Sequence, residues 1–344
     1  MAEKELKTTI TWKQKLALVL FSTFLTLGMV ALAGHFIKIG GERLNRKLVL
    51  KAWYMKNEWL GPQKIGIYQL DAQYGWRHIP ASSGRQFEPY GFNVKYHIDE
   101  KGNRVTKGSY DLPKILVLGC SFSFGHGVED SEAYPMLLSE KFTSYKVVNA
   151  ATNGWGTVQA WLRLQDELAQ NQDLKAVVYG FIGHHRHRNY LRKSWLEMLG
   201  KYGRQNVHVE AENGKIVRHG LSDPNKDGLD DEAALVPKEK ELTQLLIADM
   251  KARCDERGIP FLVAYLPDDK GHDFAAEILQ TLGSEHFIDL RSAIDYPSIN
   301  NGVDGHPNPE GQRQIAEKLL PVIQKMLEQP TVVNSAAEPS PQAD

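Results

Sequence analysis

Two cysteines in 344 residues, Cys120 and Cys254, are too few for a disulfide framework and leave the redox compartment open. Neither sign of charge is in excess. Lys and Arg number 41 against 42 Asp and Glu, and no long basic run occurs, so nothing points to nucleic acid as a partner. The histidines His184, His185 and His187 lack a carboxylate or thiol at ligand spacing, and Arg186 and Arg188 beside them repel a cation, so no metal is expected there and no cofactor is called for. One further absence is local. Leu16 to Ile37 contains no Lys, Arg, Asp or Glu, and about 20 apolar residues at helical rise span a bilayer. A membrane helix is expected, within an N-terminal segment 1–40. Ala31-Leu32-Ala33 also has the pattern of a signal-peptidase site, so anchor and cleaved leader both remain open. Lys4, Lys7, Lys13 and Lys15 before the span balance Lys38, Arg43, Arg46, Lys47 and Lys51 after it, and charge does not settle its orientation.

What is present is an alternation of two kinds of segment. Apolar strand candidates at 115–118, 145–149, 176–182, 261–267 and 286–290 are interleaved with helical patterns near 131–142, 157–170, 236–257, 273–282 and 309–328. Such alternation implies a parallel sheet covered on both faces: an α/β fold in three layers, α/β/α, with a mostly parallel, flavodoxin-like sheet. Residues 41–110 have few long apolar runs and many turn residues. Tyr74 to Pro80, the alternating Val94 to Ile98, and the turn-like Asp99 to Asn103 suggest short strands in a small accessory segment packed on the core domain, 111–328. Residues 200–235, with Asp223 to Gly228, read as an irregular insertion near the active-site face. The tail 329–344, rich in Pro, Ser, Ala and acidic residues, reads as disordered.

Gly119-Cys120-Ser121-Phe122-Ser123-Phe124-Gly125 comes directly after the run Ile115 to Leu118. Ligands bind at the carboxyl ends of parallel strands, and Ser121 stands at that end with a glycine two residues before it to permit a tight exit. A serine hydroxyl needs a base to become a nucleophile, and the base needs orienting. Asp304-Gly305-His306-Pro307-Asn308-Pro309 supplies both near the end of the chain. Asn308 suits a helix N-cap and Pro309 the first helical position, which pins the loop carrying His306. Each residue also has a plainer use: Ser121 as an N-cap, Gly154 in a turn, and Cys120 as a small buried hydrophobe.

Taken together, Ser121, the Asn149 to Gly154 stretch, Asp304 and His306, in this order, resemble the SGNH (GDSL-type) hydrolase superfamily over about residues 111–328. The resemblance implies Ser121 as nucleophile, His306 as base, Asp304 as its orienting carboxylate, and the amides of Ser121 and Gly154 in an oxyanion hole. The chain departs from the family twice. Cys120 stands where the first block usually has aspartate. The third block usually offers an asparagine, yet Phe181-Ile182 leads into Gly183-His184-His185, so His184 or His185 is the expected replacement donor, with His185 favoured on the expectation that His184 still belongs to the strand end. The family reading implies an esterase acting on a carbohydrate- or lipid-linked ester at the cell envelope, with its domain outside the cytoplasm. The alternatives are an O-acyltransferase using the same residues, and a non-catalytic SGNH-like protein for binding or assembling a surface polymer.

Overall fold

The computed structural model describes residues 11–36, 66–88, 91–171, 173–223, 227–268, 273–295 and 305–328, with backbone alone for 30–36. Asp304 and the tail 329–344 lie outside the described residues. The chain divides into two compact units, Met1–Gly61 and Pro62–Asp344. In the first, helix α1 (Trp12–Phe36) takes up the uncharged run as far as Phe36, and Ile37 lies outside the described residues. Its side chains Leu16, Leu18, Val19, Phe21, Phe24 and Leu25 are exposed. Among the described residues no helix is long and apolar enough to cross a membrane.

The second unit begins with two antiparallel hairpins, β1 (Tyr68–Asp71) with β2 (Gly75–His78) and β3 (Ser83–Phe87) with β4 (Asn93–His97). The first of them packs on the loop around Asn153 to Trp155. Trp76 is fully buried, its indole N–H donates to the Asn153 carbonyl at 3.0 Å, and Trp155 Nε1 donates back to the Trp76 carbonyl at 3.0 Å. These aromatics are thus packing groups.

The central sheet has five parallel strands: β5 (Lys114–Gly119), β6 (Lys146–Asn149), β7 (Leu174–Phe181), β10 (Phe261–Tyr265) and β11 (Phe287–Asp289), in the spatial order β6-β5-β7-β10-β11. This is the 2-1-3-4-5 order of a flavodoxin-like sheet, whose switch point lies between β5 and β7. Side chains alternate between two apolar cores. Leu116, Leu118, Val177, Tyr179, Phe181 and Val263 face one, and Ile115, Val117, Ala176, Val178, Leu262 and Ala264 face the other. Both faces are covered, which is why β5, β7 and β10 carry long apolar runs rather than alternating ones.

The helices are α2 (Ser121–Phe124), α3 (Tyr134–Lys141), α4 (Thr157–Gln170), α5 (His184–Arg188), α6 (Lys193–Lys201), α7 (Glu232–Asp255), α8 (Ala275–Leu282) and α9 (Pro309–Glu328). Helices α4 and α7 cover the first core, and α3 and α9 the second.

The stretch 200–235 is not irregular throughout. It contains a third hairpin, β8 (Val207–Glu212) with β9 (Lys215–Leu221), turned at Asn213-Gly214 with φ of 50° and 74°. Two consecutive residues in the left-handed region form the turn type that suits the twist of a hairpin, and Asn-Gly is its favoured sequence.

Candidate active site

Strand β5 ends at Gly119, where φ of +150° and close packing both require glycine. A Cβ there meets Ser123 Oγ at 2.5 Å and the Gly180 carbonyl at 2.9 Å. The chain then turns at once into the single-turn helix α2, which closes with Gly125 in the left-handed conformation. Cys120 is fully buried in the core shared by α3 and α9, as a small hydrophobe should be. Ser121 is placed at the carboxyl end of the sheet, next to the β5/β7 switch point, with 6% of its surface exposed. The amides of Gly125 and His126 donate to its carbonyl at 3.0 and 2.9 Å, so backbone bonds, not the hydroxyl, hold this turn.

His306 comes to Ser121 from 185 residues away, with Nε2 2.7 Å from Oγ. Its loop is fixed from the helix beyond it. Asn308 Oδ1 accepts the Gly311 amide at 3.0 Å and Pro309 opens α9. Gln312, fully buried one turn on, ties the two halves together: its Nε2 donates to the Phe122 carbonyl at 3.2 Å and its Oε1 accepts the Tyr134 amide at 2.9 Å. The imidazole of His306 lies 4.7 Å from the Phe122 ring and 4.5 Å from that of His126. His126 in turn lies 3.1 Å from Asn153 Nδ2. Neither Gln312 nor His126 stands out in the sequence. A buried glutamine one turn into a helix carries no pattern of its own, whereas the nearness of His126 to Ser121, five residues on, is a signal that could have found it.

The loop after β6 docks against the same strand end. Thr152 donates its amide to the Gly119 carbonyl at 3.2 Å, and Asn149 Nδ2 donates to the Ser123 carbonyl at 3.2 Å. Gly154 has φ of +86°, and a Cβ on it meets Trp76 at 3.2 Å, so the turn itself requires glycine. Beneath α2, the fully buried guanidinium of Arg104 donates to the carbonyls of Phe124 and Gly125 at 2.6 Å and Val128 at 2.8 Å, and to Asp130 Oδ1 at 2.9 Å. This one side chain holds the segment that leaves Ser121.

No family model matches the chain, and no curated protein does. Among solved structures it is similar to TesA, at 17% identity over 62% of this chain and 99% of that one, with a TM-score of 0.41. It is also similar to the psychrotrophic esterase EstA from Pseudoalteromonas sp., at 18% identity over 63% of this chain and 100% of that one, with a TM-score of 0.38. A carbohydrate acetylesterase family member from Sinorhizobium meliloti is similar at 13% identity over 63% and 100%, with a TM-score of 0.38.

Against the SGNH pattern, the third block is where structure and sequence reading part. Helix α5 starts at His184, so the strand does not run on to it, and the two histidines take the opposite sides from those expected. His185 is fully buried: its ring stacks on Tyr179 at 5.6 Å, meets Phe181 edge-on at 5.3 Å, and its Nδ1 lies 2.7 Å from the Tyr179 hydroxyl. Burial pushes its pKa well below the ordinary value, with Arg188 and His184 adding to the effect, so the ring is neutral and belongs to the core. His185 is therefore not the substrate-facing donor that the sequence favours. His184 stays part-exposed at the strand edge, with Nδ1 3.4 Å from Asp268, whose carboxylate also accepts the Gly183 amide at 3.1 Å. Asn189, the next asparagine along, caps α4. Its Oδ1 accepts the amides of Thr157 at 2.7 Å and Val158 at 3.3 Å. His187 turns toward the buried Glu239, at 3.9 Å.

Proposed function

We propose that residues 111–328 form a serine esterase of the SGNH type. The observation that carries this reading is the 2.7 Å approach of His306 Nε2 to Ser121 Oγ at the switch point of the sheet. Ser121 Oγ attacks the ester carbonyl carbon while His306 Nε2 takes the hydroxyl proton, and Asp304 steadies the imidazole. The amides of Ser121 and Gly154 stabilise the oxyanion. The intermediate collapses to an acyl-serine as the leaving alcohol takes the proton from His306. Water then attacks the acyl carbon and gives a proton to His306; the bond to Ser121 Oγ breaks, Oγ takes that proton back from His306, and the acid leaves. A hydroxyl acceptor in place of water makes the same sequence an acyl transfer. The test is turnover by the full-length protein of aryl esters of graded acyl length and of O-acetylated sugars, with and without an added glycan acceptor. If neither hydrolysis nor transfer occurs with any of them, the non-catalytic reading takes its place.

The third donor is assigned to His184, the part-exposed member of the pair. His184→Ala is expected to lower kcat about 10²–10³-fold with little change in KM, because the hydrogen bond matters once charge develops on the oxygen. His185→Ala is expected to lower stability by about 2 kcal/mol or more, leaving a core cavity and a Tyr179 hydroxyl with Thr157 Oγ1 as its remaining partner, rather than to alter kcat selectively. Steady-state kinetics and urea unfolding on both variants check this. Equal kcat in His184→Ala and the wild type leaves an oxyanion hole of backbone amides alone.

The substrate is assigned to the cell envelope, as a carbohydrate- or lipid-linked ester, on the strength of the charge-free run from Leu16 to Ile37. Full-length protein is expected to stay with membranes through an alkaline carbonate wash, and protease added to spheroplasts is expected to degrade the domain. Soluble protein with a new N-terminus at Gly34 contradicts the anchor and establishes a cleaved leader.

A further inference from the structure

We propose that the β8–β9 hairpin holds a divalent transition-metal ion, Zn(II) in the first instance, through His208, Glu210 and His219. This is independent of the esterase reading. His208 and Glu210 are two apart on β8, so they project from one face of the hairpin, while Val209 between them is fully buried. His219 reaches that face through a register shift. His208 pairs with Gly220 and Val209 with Arg218, which leaves His219 as the extra residue of a β-bulge on β9. Bulges re-aim side chains in this way. The result is two imidazole rings 4.6 Å apart, tilted by 32°, with a carboxylate beside them. One potential ligand atom from each of the three residues lies within 4.8 Å of the others.

That geometry is near what an ion requires. Bonds of about 2.1 Å to Zn(II) place tetrahedral ligand atoms about 3.4 Å apart, and the pair His208 Nε2 and Glu210 Oε1 is already at 3.0 Å. The remaining closure is within reach of side-chain rotation, since these side chains are 22%, 32% and 37% exposed. Two imidazoles with one carboxylate suit a borderline ion such as Zn(II), whereas Mg(II) and Ca(II) take oxygen ligands. The surroundings are those of an oriented site. The Tyr190 hydroxyl donates to Glu210 Oε1 at 2.9 Å, and Glu212 Oε1 lies 3.0 Å from His219 Nε2. Such outer partners fix the direction of a ligating carboxylate and of a ligating imidazole.

The test uses full-length protein purified without a histidine tag, stripped with a chelator, and titrated calorimetrically with ZnCl₂. The wild type is expected to bind one Zn(II) per hairpin. The double variant His208→Ala, His219→Ala is expected to lose at least 100-fold in affinity, and Glu210→Gln 10-fold or more, with unchanged circular dichroism because the replaced side chains are on the surface. The control His184→Ala, His187→Ala, aimed at the other histidine cluster, is expected to retain the ion. No Zn(II) uptake by the wild type, uptake unchanged in the double variant, or loss that tracks the control instead overturns the proposal.

Discussion

Ser121→Ala and His306→Ala are each expected to lose about 10⁴–10⁶-fold in ester turnover while keeping the fold. Nucleophile and base act as one unit, so removing either removes most of what the pair supplies; what remains is binding and the oxyanion donors. Structure is spared because neither side chain supports it. The turn at Ser121 is held through its carbonyl by the amides of Gly125 and His126, and the His306 loop is held by Asn308 and Gln312. Aryl-ester kinetics together with circular dichroism decide the matter. Retained turnover in either folded variant removes that residue from the chemistry.

Arg104→Ala is expected to cost about 3–5 kcal/mol of stability, more than any surface ion pair is worth. Its guanidinium is fully buried, lies over the rings of Tyr96 and Phe124 at 4.8 and 4.7 Å, and donates to three carbonyls and to Asp130. Deleting it takes the shortest donor from the Phe124 and Gly125 carbonyls, removes the guanidinium bond to the Val128 carbonyl, and leaves the largely buried Asp130 carboxylate to His97 beside it. Arg104→Lys is expected to recover little, since one ammonium on a thinner stem cannot reproduce a planar fork shared among four oxygens. The measurement is the urea midpoint at constant slope. A fall in kcat should accompany the loss, because the carbonyls released belong to the segment leaving Ser121. A midpoint within experimental error of wild type contradicts the role given to Arg104.

How legible the fold and the site are in the sequence depends on whether a signal is local. Strands β5, β7 and β10 announce themselves because both of their faces are buried, which leaves no polar residue to interrupt the run. Ser121 and His306 can be paired across 185 residues only through the resemblance to known motifs; periodicity alone does not bring them together. The β8–β9 hairpin escapes the sequence reading although its signals are there, a Val207-His208-Val209-Glu210 alternation and then Asn213-Gly214. Charged residues around these positions mask an alternation with only one apolar face. The sides taken by His184 and His185 turn on a single residue of helix phase. Because α5 begins at His184, the next side chain swings into the core beside Tyr179 instead of out to the edge. Arg104 has no signal. Its burial is licensed by carbonyls about twenty residues downstream, a partnership that exists only once the chain is folded.

The central claim is that Ser121 is a nucleophile activated by His306, and covalent labelling tests it most directly. A fluorophosphonate probe is attacked by an activated serine hydroxyl, fluoride leaves, and the phosphonyl group stays on Oγ. Full-length protein treated with such a probe, digested and mapped by mass spectrometry, is expected to carry one adduct on the peptide containing Ser121, with none in Ser121→Ala and strongly slowed labelling in His306→Ala. An unlabelled wild type, or equal labelling of wild type and Ser121→Ala, contradicts the account.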